Sequence, residues 1–165
     1  MPPLYAASVP VFLHYIARMQ ALAARASDAN LQARLAPDMF TGGQQMATAA
    51  GFALRVAFAL AGRPAPKMAM HGVDRAGLAQ CFADVAAALT ALDPADFAGA
   101  EGREIAHRAG FANLRQSGAD FLHLFGMPNF IFHSAMGFAV LRAEGLEIGK
   151  ADFDGLHDYP AGFRF

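Results

Sequence analysis

GADFLHLFGMPNFIFHSAMGFAVLR, residues 118–142, is the stretch that decides the fold. Its apolar residues return every three or four positions, as they do on a helix that buries one face. Gly126 and Pro128 interrupt this pattern and predict a break or a kink, because proline removes a helical hydrogen bond and clashes with the preceding turn. We therefore expect a long helix here that is stopped by Gly145.

Three earlier segments have the same helical period. The first runs from Ser8 to about Arg25, and the Ser8 hydroxyl is placed to cap the free amides of the first turn. The second runs from about Gln44 to Leu60. The third follows Asp74, another capping residue, and ends at Asp93 before a proline. With the last helix, these segments make four long helices.

The connections between these helices carry less pattern. A short helical turn fits residues 27–35, the runs 103–107 and 111–115 suit a small hairpin, and residues 146–165 are expected to pack as a loop. Four long helices with one small irregular or hairpin insertion before the last predict an all-α four-helix bundle. At 165 residues the chain has the length of one domain, which spans residues 1–165.

Composition excludes several classes of protein. Hydrophobic residues make up 55% of the chain and charged residues 16%, which excludes intrinsic disorder. The net charge of −1 supplies no field that attracts phosphate backbones, so we expect no nucleic-acid partner. Cys81 is the only cysteine, which excludes a disulfide within the chain and a paired-cysteine zinc site. Without a signal sequence or an uncharged apolar run of about 18 residues, we expect a cytoplasmic protein outside the membrane.

The residues that point most directly to chemistry are Asn129 and His133. They lie four positions apart, so that they share one face of a helix and are able to meet one metal or substrate. The alternative is structural: His133 is a core histidine with satisfied hydrogen bonds, and Asn129 caps the helix that Pro128 interrupts. The residues alone favour this alternative. The chain has no phosphate-binding glycine loop, nucleophile elbow or His-Glu-x-x-His motif.

Two further features carry weaker hypotheses. The loop from Arg34 to Phe40 is either a lid over a site or a segment that plugs the end of the bundle. His14, on the first long helix, is placed to approach a site in the bundle from a neighbouring helix, although partial exposure is its default interpretation. The histidines in predicted loops or in the hairpin, at positions 71, 107 and 157, are expected to be solvated.

Five segments resemble the signatures of a bacterial family. They are YAASVPVF (5–12), RLAPDMF (34–40), PNFIFH (128–133), LR (141–142) and GKADF (149–153). The family is a domain of unknown function, number nineteen ninety-three, of the DinB-like superfamily. The resemblance covers nearly the whole chain, and its motifs occur in the order of the family.

The resemblance implies a DinB-like four-helix bundle, usually dimeric. The superfamily includes damage-inducible proteins, metal-dependent hydrolases and thiol transferases, whose members hold a divalent metal with three histidines. His133 matches the last of these histidines, nine residues before Arg142. Asn129 stands in place of the other histidine of the last helix, and Gln45 is the best candidate for the position on the second helix. Amide oxygens are weak ligands compared with imidazole, so these three residues make a poor zinc or nickel set, and a divalent metal cofactor (zinc, nickel or manganese) is the less favoured expectation.

Three hypotheses on function follow. The first is a small-ligand-binding or vestigial enzyme bundle, with a polar pocket around His133, Asn129 and Gln45. The second is a metal-dependent hydrolase or thiol transferase that completes its metal site with water and one further residue, for which His14 is a candidate. The third is a non-catalytic structural or stress-associated dimer. In all three the expected state is a homodimer, and the first adds a small-molecule ligand.

Overall fold

A computed structural model describes residues 1–160 and 163. The chain is mostly helical and contains one small sheet. Its helices before the sheet are α1 (Pro3–Ala6), α2 (Val9–Arg25), α3 (Asp28–Gln32), α4 (Gly42–Leu60) and α5 (Arg75–Thr90). Two 3₁₀ turns (Pro94–Phe97 and Ala100–Gly102) lead to strands β1 (Glu104–Ala109) and β2 (Ala112–Ser117). The remaining elements are α6 (Gly118–Asp120), a π-helical segment (Phe121–Gly126), α7 (Met127–Ala143) and α8 (Lys150–Asp154).

Side-chain caps explain where two of the long helices begin. Thr41 and Gln44 form a reciprocal capping box at the start of α4. Asp74 caps α5 as predicted, because its Oδ1 accepts from the amide of Gly77 at 2.7 Å. The predicted cap at Ser8 is wrong. The Ser8 hydroxyl donates to the carbonyl of Leu4 in the short helix α1, and it makes no bond to the first turn of α2.

The helix predicted over residues 118–142 is continuous from Gly118 to Ala143. Instead of breaking at Gly126 and Pro128, the chain widens into the π-helical segment just before the proline. Such a segment shifts the hydrogen-bond pattern by one residue, which allows a helix to pass an interruption without ending. The residues on both sides of Pro128 therefore belong to one helix that runs along the molecule.

The long helix packs most closely against α4. Glycines permit this approach, because a Cβ added at Gly137 would lie 2.7 Å from Cγ of Met46. A Cβ added at Gly126 would lie 2.6 Å from Cγ2 of Val56. α4 also contacts α5, and α5 contacts α2, so the four long helices share one core. The largest fully buried aromatic residues in that core are Phe12, Phe82, Phe97, Phe121 and Phe130.

The predicted hairpin is confirmed, with strands slightly longer than expected. β1 and β2 are antiparallel, and their pairing runs from Glu104 opposite Ser117 to Ala109 opposite Ala112. Gly110 begins the two-residue turn with a φ of +58°, a conformation that glycine adopts without a steric penalty. The hairpin places β1 next to the π-helical segment, where it borders the site described below.

The tail was predicted to be a loop, but it also contains a short helix. Residues 150–154 form α8, which is held against α2 by three side chains. The ring Nε2 of His14 lies 2.6 Å from the carbonyl oxygen of Asp154, and Arg18 donates twice to the carbonyl of Asp152. Arg25 pairs with the Asp152 carboxylate at 2.6 Å. Residues 161, 162, 164 and 165, which fall within the predicted loop, lie outside the described residues.

By length and composition alone, the helix Gly118–Ala143 qualifies as a membrane span, contrary to the expectation that no stretch would. Its most apolar window has a mean hydropathy of 1.4, and 33% of that window is buried. The core helix of a helical bundle also meets the criteria of length and apolar composition. This helix packs along α4 and carries the half-buried polar residues Asn129 and His133. The same helix also contacts α2 and α3.

Candidate functional site

His133 and Gln45 meet between α7 and α4. The ring Nδ1 of His133 lies 2.6 Å from Oε1 of Gln45. Gln45 is buried, with only 2% of its surface exposed. Because an amide oxygen only accepts, Nδ1 carries the proton and Nε2 keeps a lone pair. The buried amide therefore fixes both the orientation and the tautomer of the imidazole. These two of the three predicted site residues are in direct contact.

Aromatic rings hold the His133 imidazole from two sides. Phe52 lies nearly parallel to it with 5.6 Å between ring centroids, and Phe40 does so at 6.3 Å. Phe52 projects from α4, and Phe40 comes from the loop that precedes this helix. The ring is therefore restrained by packing as well as by its hydrogen bond to Gln45.

The electrostatic environment keeps His133 neutral. Burial lowers the pKa of the imidazole below its ordinary value, since the charged form loses more by desolvation than the neutral form. Its hydrogen-bond partner Gln45 and its stacking partners Phe40 and Phe52 are all uncharged. At pH 7 the group is a neutral imidazole that is able to accept a proton or a hydrogen bond at Nε2.

Asn129 does not join this pair. Its side-chain Nδ2 donates to the carbonyl of Phe125, one turn earlier on the same helix, at 2.7 Å. This carbonyl lies in the π-helical segment beside Pro128, where the backbone pattern changes. Asn129 therefore has a local structural contact, although it donates to a carbonyl rather than accepting from free amides as a cap would. The prediction that Asn129 and His133 act on one ligand lacks support in this geometry.

The three predicted side chains do not fit a divalent metal. The oxygen of Gln45 accepts from Nδ1 of His133, so Gln45 orients the imidazole instead of standing beside it as a second ligand, and only Nε2 of His133 is left to bind a metal. Asn129 is turned towards its own helix. Among residues 1–160 and 163, no group of three His, Cys, Asp or Glu side chains is close enough to hold a metal ion. Zinc and nickel sites in proteins are usually built from imidazole and thiolate groups, which are missing around His133 in this part of the chain.

The other predicted contributors lie elsewhere. His14 is half-buried, as its default interpretation expected, and its ring lies against the carbonyl of Asp154 in the tail and not in the site. Phe40 stacks on His133 and is 50% exposed, which places it over the site and not in the end of the bundle. Arg34 stabilises the same loop by donating to the carbonyl of Met39 at 2.8 Å.

Sequence reasoning missed Arg55 and His107, which continue the site beyond Phe52. The Arg55 guanidinium lies over the Phe125 ring, and the His107 ring packs 4.4 Å from the same ring. The expectation that His107 is solvated is wrong, because it is half-buried and bonds to Gln116. One feature of the sequence could have pointed to Arg55. Arg55 is a charged residue in the apolar helix α4 with glycine and alanine four positions away on either side, so no acid is within helical reach.

Two shallow grooves open beside these residues on α4. One, of about 230 Å³, is lined by Thr48, Gly51, Phe52 and Arg55. The other, of about 300 Å³, is lined by Phe40, Gln44, Ala47, Thr48 and Val73. The two grooves share Thr48, and each has as a wall one of the two rings that stack on His133. His133 itself lines neither groove; it is linked to them by the stacked rings of Phe52 and Phe40, and Arg55 lines the first groove.

Comparison with known proteins agrees with this fold. The chain is similar to the crystal structure of a DinB family member protein from Shewanella denitrificans, with 29% identity and a TM-score of 0.85. The match covers 96% of this chain and 95% of that chain. No curated protein matches the chain. Residues 4–154 match the family described as domain of unknown function (DUF1993), and the chain therefore belongs to this DinB-like family.

Proposed function

We propose that the chain is a small-ligand-binding bundle or a vestigial enzyme, and that its ligand lies in the grooves on α4 beside His133. One observation carries the proposal: a half-buried imidazole is fixed by the buried amide of Gln45, and no residue among 1–160 and 163 forms a hydrogen bond with its Nε2. An oriented polar atom within aromatic walls is typical of small-molecule sites.

Fragment binding tests this proposal. A panel of neutral one-ring fragments, including benzamide and benzyl alcohol, is titrated into the protein, and NMR follows the side-chain nitrogens of His133. We expect shifts at Nε2, and we expect binding to be weakened at least tenfold in His133→Phe, which keeps the ring stack but removes both nitrogens. His123→Phe is the matched control, since His123 is exposed on the same long helix. Equal binding by both variants would favour a structural role for His133.

Elemental analysis tests the metal-dependent alternative. We expect untagged protein to contain less than one zinc, nickel or manganese ion per chain. We also expect these ions to leave its thermal stability unchanged, because an ion that binds the native state would raise that stability. Stoichiometric metal that is lost in His133→Ala would overturn the ligand-binding proposal in favour of a metal-dependent hydrolase or thiol transferase. Tag-free protein is essential, because a histidine tag itself binds these ions.

We further propose that the chain forms a homodimer in the cytoplasm. The support is the long helix Gly118–Ala143, which packs mainly against α4 and carries exposed apolar side chains. Leu124 and Phe132 are 70% and 51% exposed on its outer side, and a second copy would cover them. Light scattering tests the dimer: twice the mass of one chain is expected, and Phe132→Lys should shift it towards the monomer. A monomeric mass at all concentrations would disprove it.

A further inference from the structure

Arg55 is a cation in apolar surroundings. Its Cζ lies 4.9 Å from the centroid of the Phe125 ring and 5.8 Å from that of Phe52. Desolvation by these surroundings lowers the pKa of the guanidinium, but an arginine with so high an ordinary value remains charged at physiological pH. Contact with the ring faces offsets part of the cost of burying that charge.

Among residues 1–160 and 163, Arg55 forms hydrogen bonds with a backbone carbonyl and an imidazole and with no carboxylate. Its Nη2 donates to the carbonyl of Arg108 and lies 3.5 Å from Nδ1 of His107. Nε2 of His107 lies 2.7 Å from Oε1 of Gln116 and must donate to it, so Nδ1 is left as an acceptor for the arginine. One nitrogen of the guanidinium, Nη2, therefore makes both contacts.

The charge of Arg55 has no counterpart in the described part of the chain. No Asp or Glu of residues 1–160 and 163 forms an ion pair with it, whereas Arg25, Arg63 and Arg115 each pair with a carboxylate. Its Nη1 and Nε have no acceptor among the same residues. A half-buried cation is most stable when it is paired, so these free donors favour an anion supplied from outside the chain.

The groove next to Arg55 fits a flat apolar group. It holds about 230 Å³, with the Phe52 ring as one wall. Gly51 leaves the groove open, because a Cβ at this position would meet no atom within 4 Å. A ring that enters the groove would lie next to Phe52 with its substituent towards the guanidinium. A phosphate, with about two charges, would need more than the one cation at this groove.

We propose that this groove binds a small aromatic carboxylate, with the ring against Phe52 and the carboxylate on the free donors of Arg55. The inference rests on the proposed function, since it names the chemical class of the ligand for that same site. It does not depend on any bond between the ligand and His133, and the two proposals can therefore fail separately.

Three probes separate the contributions of ring and charge. Benzoate has both, benzamide has the ring without the charge, and acetate has the charge without the ring. Binding is measured by two-dimensional NMR titration of the native protein, with the backbone amides of residues 48–55 as reporters. We expect benzoate to bind at least tenfold more tightly than either of the other probes, because a charge-assisted hydrogen bond and ring contact both contribute.

Two variants test the location. Arg55→Gln should weaken benzoate binding at least tenfold and leave benzamide binding unchanged, whereas Arg115→Gln, at an exposed arginine of the hairpin, should have no effect. Gly51→Leu fills the groove but keeps Arg55, and we expect it to abolish binding of benzoate. Because Gly51 is exposed on the outer side of α4, this second variant remains informative if Arg55→Gln is misfolded.

The outcomes distinguish this inference from the proposed function. If benzamide binds as well as benzoate and Arg55→Gln has no effect, the carboxylate is wrong, while a neutral ligand beside His133 remains supported. If benzoate binding survives Gly51→Leu, the location is wrong. If no one-ring fragment, charged or neutral, binds at millimolar concentration, both the inference and the proposed function fail.

Discussion

Replacing Gln45 with leucine tests whether the buried amide positions His133. The substitution keeps about the same volume at a residue that is 2% exposed, and it removes the acceptor that lies 2.6 Å from Nδ1 of His133. A donor that is left half-buried without a partner costs about 1–3 kcal/mol. For a chain of this length, about 2 kcal/mol corresponds to a melting temperature lower by about 4–8 °C.

A double-mutant cycle isolates the hydrogen bond. Gln45→Leu and His133→Leu each leave one polar partner unsatisfied, whereas the double variant leaves neither. We therefore expect the double variant to be more stable than the sum of the two single changes predicts, by about 1 kcal/mol. The assay is urea unfolding followed by circular dichroism. Gln20→Leu, on the exposed side of α2, is the control and should change the free energy of unfolding by less than about 0.5 kcal/mol.

The tautomer of His133 is the second measurement. With the Gln45 oxygen as acceptor, the proton of the neutral ring sits on Nδ1, and nitrogen chemical shifts of the imidazole report it directly. In Gln45→Leu this constraint is lost, and we expect the ring to return to the Nε2-protonated form that free histidine prefers. Two results together would refute the reasoning: additive single changes, and a tautomer that does not respond to the substitution.

Three other changes have expected outcomes. Because burial lowers the pKa of His133 below the value of about 6.5 in the unfolded chain, the unfolded chain binds more protons just below pH 6.5. The free energy of unfolding should therefore fall as pH is lowered through this range, and it should fall less in His133→Gln. Urea unfolding at several pH values measures this, and the same pH dependence in both proteins would contradict the expectation. Gly51→Ala should raise stability by about 0.5–1 kcal/mol, since its Cβ meets nothing, whereas Gly43→Ala should lower it by about 1–3 kcal/mol, since its Cβ would lie 2.2 Å from the Val73 carbonyl oxygen. Thermal unfolding measures both, and equal effects would contradict the packing argument. Arg18→Ala should increase hydrogen exchange in α8 without a comparable change in α4, because two of the bonds that hold α8 come from this side chain; Arg34→Ala is the control.

The long helices were predictable because their information is local. Apolar periodicity predicted all four long helices, and the capping residue Asp74 correctly predicted where α5 begins. The errors occur where a distant contact competes with a local one. Ser8 bonds to α1 instead of capping α2, and α8 is held by side chains of α2 more than 120 residues earlier in the chain. Local patterns carry no signal for such contacts.

The candidate site was only partly predictable for the same reason. The family resemblance placed Gln45 and His133 in one site, and they are in contact. It also placed Asn129 there, but its amide bonds to the carbonyl of Phe125 in the π-helical segment, a feature that periodicity does not reveal. Phe52 and Arg55 belong to no motif in the sequence that would mark them as site residues. Only the packing of α4 against α7 and the hairpin gives them a place beside His133.

Replacing one histidine of the superfamily pattern with Gln45 changes the chemistry that His133 can support. A second imidazole would leave two nitrogen lone pairs for a metal, whereas the amide oxygen of Gln45 uses the Nδ1 proton and fixes the remaining lone pair on Nε2. Burial then keeps the ring neutral, so it acts as an acceptor and not as a cation. The positive charge beside the grooves comes instead from Arg55, which forms no ion pair with an Asp or Glu of residues 1–160 and 163. A ligand that used both groups would therefore need a hydrogen-bond donor for Nε2 of His133 and an anion for the guanidinium of Arg55.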